Sequence, residues 1–235
     1  MSRFDGKTVL ITGAAGNLGR AVAQAFSDEG AQLALVDLDV DRLRKTFGDE
    51  GAQRLFAAAD LLQPGEAIAA ARAVVGRFGR IDVLCNLAGG FRMGDPVHAT
   101  PAADWDFLFG LNARTLLHMA QAVVPGMIDA GGGKIVNIGA FAAQKGAAQM
   151  GAYIASKSAV IRLTESMAAE LREKNINVNC VLPTIIDTPE NRNAMPGADP
   201  ARWVAPQDLA SVIAFLASDA ARAVHGAALP VTGLS

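Results

Sequence analysis

The chain has 235 residues, 51% of them hydrophobic, and carries 21 basic against 23 acidic side chains with no block of either sign. That balance excludes the charge footprint of a nucleic-acid or anionic-membrane binder. The length suits one α/β domain, residues 1–235, with a sizeable core and no second domain.

Residues 7–12 form an apolar run rich in β-branched residues, and Gly13-Ala-Ala-Gly16-Asn17-Leu18-Gly19 follows at once and leads into the helical pattern 20–26. Strand, glycine turn and helix in that order let backbone N–H groups and the positive helix end approach a pyrophosphate, while the last glycine lets helix and strand pack closely. A second strand, 32–36, ends at Asp37, 18 residues after Gly19. A carboxylate there accepts a hydrogen bond from a ribose 2′-OH and repels a 2′-phosphate, which favours NAD(H) over NADP(H). Asp39 and Asp41 stand close by, so an acidic turn capping the next helix is the alternative.

Further strand-like runs fall at 53–58, 81–86, 134–138, 176–182 and 228–231, with helix-length patterns at 63–78, 102–129, 152–173 and 207–218. Alternating β and α predicts a doubly wound parallel sheet of about seven strands with helices on both faces and a ligand crevice along one edge. Cys85 and Cys180 lie in apolar strand-like runs, as reduced thiols of a cytoplasmic protein would, and His98, His118 and His225 lack ligand spacing, so no metal site is expected. The first strand leaves no room for a signal peptide, and no run is long enough to span a bilayer. The irregular stretch 184–206, after a strand end, is expected to form a substrate lid, with Phe91, Arg192, Met195 and Trp203 as lid-side candidates; a long surface loop is the alternative.

The single tyrosine, Tyr153, precedes Lys157 by one helical turn, so both polar tips project from one face. A phenol ionises near pH 10, and an ammonium held beside it favours the phenolate, so the pair is expected to move a proton.

With Thr12-Gly13-Ala-Ala-Gly16-Asn17-Leu18-Gly19, Asp60-Leu61, Asn86-Leu-Ala88-Gly89, Asn112, Ile135-Val-Asn-Ile138 and Tyr153-Ile-Ala-Ser-Lys157 in order, the sequence resembles the short-chain dehydrogenase/reductases, which have a Rossmann fold. The resemblance implies that Asp60 and Leu61 lie by an adenine, that Asn86, Ala88 and Gly89 flank the cofactor, and that Thr188, after Pro183, reaches the nicotinamide carboxamide. It makes Tyr153 the proton donor or acceptor, Lys157 the group that lowers its pKa and holds the nicotinamide ribose, and Asn112 the support of a proton-relay water. It also implies a homodimer or homotetramer through the helices near 102–130 and 152–173 and the last strand. The pattern departs from the family at Asn17, where a middle glycine is expected, and at Gly139-Ala140, where two serines are usual.

Gly139-Ala140-Phe-Ala142-Ala143, Ala88-Gly89-Gly90-Phe91 and the segment 182–203 are similar to the dihydropteridine reductase branch, which also lacks the serine. That likeness implies hydride transfer from NADH to a quinonoid dihydropterin, an acceptor that concentrates little charge on one oxygen. Two alternatives stand beside it: a ketone or 3-oxoacyl reductase with a replaced serine, and a dinucleotide-binding protein without turnover, for which Ala140 is the motive.

Overall fold

The computed structural model describes residues 2–235. Seven strands, β1 (Thr8–Thr12), β2 (Gln32–Asp37), β3 (Arg54–Ala58), β4 (Val83–Asn86), β5 (Gly133–Ile138), β6 (Ile176–Pro183) and β7 (Ala228–Val231), form one sheet in the order β3-β2-β1-β4-β5-β6-β7. Every pairing is parallel. The central strands β1 and β6 are buried along their whole length, so both faces must be apolar, and their β-branched and leucine side chains meet that demand.

Alternation along β1 distributes those side chains. Val9 and Ile11 join a core with Val22, Ala23 and Phe26 of α1 (Asn17–Asp28) and Leu209, Ile213 and Ala214 of α8 (Pro206–Leu216). Leu10 points the other way, into a core with Ala67, Ala70 and Val74 of α3 (Pro64–Phe78) and Met119 and Val123 of α5 (Thr115–Asp129). The remaining helices are α2 (Val40–Phe47), α4 (Ala102–Phe109), α6 (Gly151–Leu171) and the short α7 (Pro189–Ala194). No helix is long and apolar enough to cross a membrane.

Two elements differ from expectation. The pattern at 102–129 is two helices, α4 and α5, joined by a five-residue π turn, Gly110–Arg114, that contains Asn112. A wider turn disrupts the regular backbone ladder, and such bulges gather at functional sites. The stretch 184–206 is not an open loop. Asp187 N donates to Val204 O and Val204 N to Ile185 O, each at 2.9 Å, closing its base, and α7 lies inside it.

The order of strands reverses between β1 and β4, and the glycine turn sits at that switch point. A Cβ added at Gly19 would lie 2.4 Å from Gly13 O and 2.5 Å from Ala14 O, backbone atoms that cannot swing aside. Gly19→Ala is therefore expected to lower stability by about 1–3 kcal/mol through overpacking. Denaturant unfolding reads the loss, and an unchanged midpoint would show that the turn relaxes.

Candidate active site

The crevice is built from backbone first. Gly13 adopts φ +63° and a Cβ there would press on Ala88 at 3.1 Å, so the turn after β1 and the loop after β4 touch main chain to main chain. Thr12 Oγ1 accepts from Leu87 N and Ala88 N at 3.0 and 3.1 Å, which locks that contact. Gly16 caps α1, and Asn17 and Leu18 open the helix. This is a cradle of bare backbone at a helix N-terminus, suited to a pyrophosphate.

Asp37 ends β2 beside the cradle. Its carboxylate accepts from Ala15 N at 3.0 Å and Leu38 N at 2.9 Å, and pairs with Arg42 at 3.0 Å. Asp39 is the cap of α2, accepting from Asp41 N at 2.8 Å. The two acids therefore divide the roles that the sequence left open: Asp37 holds the turn, and Asp39 starts the helix. Asp60 Oδ1 accepts from Leu62 N at 2.9 Å, an Asx-type turn ahead of α3, and Leu61 is buried beside it.

Asn86 is buried, donates to Asn137 Oδ1 at 2.9 Å, and leaves its own Oδ1 without a partner. Asn137 in turn donates to Thr164 Oγ1 at 2.9 Å. This polar chain through the sheet into α6 joins Thr164 to the site, a residue that sequence reasoning missed because a threonine inside an apolar helix gives no signal without its partner. The glycine cradle at the β1–β4 switch point is what a dinucleotide lying across these strands would require.

Tyr153 and Lys157 lie one turn apart on α6, and Gly89 and Asn112 come together beside Lys157. A Cβ on Gly89 would lie 3.0 Å from Asn112 Oδ1 and 3.3 Å from Lys157 Nζ, so only glycine allows the convergence. Asn112 is fully engaged: Oδ1 accepts from Gly90 N at 2.8 Å, while Nδ2 donates to Gly90 O at 3.1 Å and Ser156 Oγ at 2.9 Å. Lys157 Nζ donates to Ile138 O at 2.8 Å.

The proton affinities of the pair reflect its burial. Burial pushes the Tyr153 phenol up to about 12 and the Lys157 ammonium down to about 8. Loss of water on burial is the leading cause of both shifts. The phenol is held as an acid.

Ala140 is only 4% exposed and presents a methyl group where a serine hydroxyl is usual. Gly139 is fixed by packing, since a Cβ there would meet Leu182 Cδ2 at 2.6 Å and Cys180 Sγ at 2.9 Å. Of the lid candidates, Phe91 packs edge-on against Tyr153 with ring centroids 4.8 Å apart and stays half exposed. Arg192 is committed to Asp187 through two hydrogen bonds of 2.6 and 2.7 Å, which leaves its fork engaged. Trp203 is buried, 7% exposed, so it packs the lid base and does not offer a ring face to a ligand. Met195, partly buried, ends α7. Thr188 Oγ1 caps α7 by accepting from Asn191 N at 3.2 Å, and Pro183 closes β6.

A cavity of about 780 Å³ lies between α1 and α8 and is lined by Asn17, Arg20, Gln24, Pro189 and Gln207 among others. None of Tyr153, Lys157 or Asn112 borders it. The converging donors and the glycine cradle, not cavity size, mark the site.

The family model of the short chain dehydrogenases matches residues 7–198. The chain is 38% identical over 244 residues to D-threitol dehydrogenase of Mycolicibacterium smegmatis, covering 98% of this chain and 93% of that one. It is also similar to an NAD+-bound xylitol dehydrogenase, with TM-score 0.88, 30% identity and coverage of 98% and 99%. A 3-ketoacyl-(acyl-carrier-protein) reductase from Brucella melitensis complexed with NADH superposes with TM-score 0.87 at 29% identity, covering 97% and 98%. The chain belongs to the short-chain dehydrogenase family and is an oxidoreductase.

Proposed function

We propose that this oxidoreductase moves a hydride between a nicotinamide dinucleotide, NAD(H) in preference to NADP(H), and the carbinol or carbonyl carbon of a small polyol or hydroxyketone. The observation that carries the reading is the convergence of Lys157, Asn112 and Gly89, with Tyr153 one turn before Lys157 on α6. The dinucleotide supplies or accepts the hydride when bound. Gly13, Gly16, Asn17, Leu18 and Gly19 take its pyrophosphate, Asp37 its adenosine ribose, Asp60 and Leu61 its adenine, and Asn86, Ala88, Gly89, Pro183 and Thr188 its nicotinamide half. Arg42 beside Asp37 would offer a 2′-phosphate some welcome, so the preference for NAD(H) is finite.

Tyr153 holds the proton at its phenolic oxygen and delivers it to the substrate oxygen in reduction; in the other direction it receives it. Lys157 supplies the positive charge that stabilises the phenolate left behind. Asn112 holds Gly90 and Ser156 in place and supports the relay that returns the proton. The chain works as a homodimer or homotetramer in the cytoplasm, with exposed Trp105 and Phe107 on α4, Leu117 and Ile128 on α5, and Leu229 on β7 supporting burial against partner copies.

Ala140 bears on the substrate. One missing oxyanion donor costs roughly two to three powers of ten in rate on a plain ketone. A hydroxyketone carries its own neighbouring hydroxyl, which can hydrogen-bond to the developing oxyanion and so offset the loss. The polyol substrates named for two of the relatives fit that requirement. A quinonoid dihydropterin is the second reading, favoured by Ala140 and by the exposed Phe91 ring against Tyr153.

Oxidation of NADH, with NADPH in parallel, tests the reading on hydroxyketones, plain ketones, a 3-oxoacyl thioester and quinonoid dihydropterin. Hydroxyketones are expected to turn over fastest, with NADH, and Ala140→Ser to raise the rate on plain ketones by about tenfold or more while changing hydroxyketones little. Turnover confined to the dihydropterin would replace the polyol assignment. The pH profile of reduction supplies a separate check. Lys157 sits below its ordinary value, so its charge is present below pH 8 and lost as pH rises through about 8, while Tyr153 stays protonated up to about 12. kcat/KM for reduction should be level near neutrality and fall through about pH 8; a level profile to pH 10 would remove the ammonium from the mechanism.

A further inference from the structure

Asn17 stands where the family pattern has its middle glycine, and the structure gives its amide two partners. Nδ2 donates to Glu190 Oε2 at 2.7 Å, and Oδ1 accepts from Arg20, one turn further along α1. The arginine thus fixes which way the amide faces, and the amide faces the lid.

Glu190 is the second residue of α7, and α7 is internally braced. Thr188 caps it, Asn191 Nδ2 donates to Ile186 O at 2.8 Å, and Arg192 forks onto Asp187. Among the described residues, Asn17 to Glu190 is the one side-chain hydrogen bond that joins α7 to an element outside 184–206. A braced segment with a single polar tie moves as a unit when that tie opens. The acceptor is charged at neutral pH, since hydrogen bonds from its own backbone N–H and then from Thr188 and Asn17 hold the Glu190 carboxyl below the usual carboxylate range. A charged acceptor makes a stronger bond than a neutral one.

We infer that the Asn17–Glu190 bond is a strap between the glycine turn and the substrate lid, with Arg20 orienting it, so that dinucleotide exchange and lid opening become one event. Asn17 and Glu190 act here as positioning residues. A glycine at position 17 would have no side chain to offer, so the departure from the family pattern is what creates the strap. The inference rests on the glycine turn being the pyrophosphate site.

The test is the dissociation rate of NADH from the full-length protein, followed by nicotinamide fluorescence in stopped flow, for the parent, Asn17→Gly, Glu190→Ala, Glu190→Gln and the double variant Asn17→Gly/Glu190→Ala. Both single truncations are expected to release NADH about tenfold faster, as loss of a charge-assisted hydrogen bond would give. The double variant should be no faster than either one, because both remove the same bond. Glu190→Gln keeps an acceptor oxygen without its charge and should fall between the parent and Glu190→Ala, and in the Glu190 variants substrate KM should rise with the off-rate while kcat changes little. Glu190 is exposed, so its variants fold without repacking, and equal thermal midpoints confirm that. Unchanged off-rates, additive effects in the double variant, or tighter NADH binding in Glu190→Ala would each overturn the strap. A parent protein that binds no NADH would overturn the cofactor-site reading itself.

Discussion

Where β1 and β4 part, the Thr12 hydroxyl accepts from two successive backbone N–H groups, and Gly13 lets the two chain segments touch without a side chain between them. Everything at the carboxyl edge of the sheet is positioned by that contact. It sets the height of the loop after β4, which carries Gly89 against Lys157 and Gly90 against Asn112. The helix that supplies Tyr153 is joined to the same framework through the Asn86, Asn137 and Thr164 side chains. A cradle of main chain costs no side-chain entropy on binding and has no rotamer to misplace, which suits a ligand recognised by its phosphates.

Much of this was legible in the sequence because it depends on period and on glycine. The strand runs and Asp37 fall within a residue or two of the observed elements, since β-branched runs buried on both faces have few other solutions. The Tyr153 and Lys157 spacing placed both groups on one helix face without help from tertiary structure. What was not legible depends on contacts between distant residues. The π turn at Gly110–Arg114 has no signature in apolar periodicity. Burial of Trp203 depends on a lid base closed by backbone hydrogen bonds, and the commitment of Arg192 to Asp187 depends on a partner five positions away in an irregular segment. The sequence left open whether Trp203 faces a ligand or packs the lid against the body, and its burial favours packing.

The proton chemistry shows which effect wins. Burial strips water from both groups, which raises the phenol and lowers the ammonium. On the proposed mechanism the tyrosine then serves as the acid, and the lysine is the group whose charge changes just above neutrality. Ala140 removes a further donor from the substrate oxygen, which leaves more of the stabilisation to the substrate itself.

The central claim is that Tyr153, one of the residues that line the dinucleotide site, transfers the proton. The most direct measurement compares Tyr153→Phe with the parent, in single turnover and in NADH affinity. The account predicts a loss of at least about two powers of ten in rate, in line with removal of a positioned general acid, in a protein that still binds NADH. Turnover at the parent's rate would contradict it and would place the proton source elsewhere in the crevice.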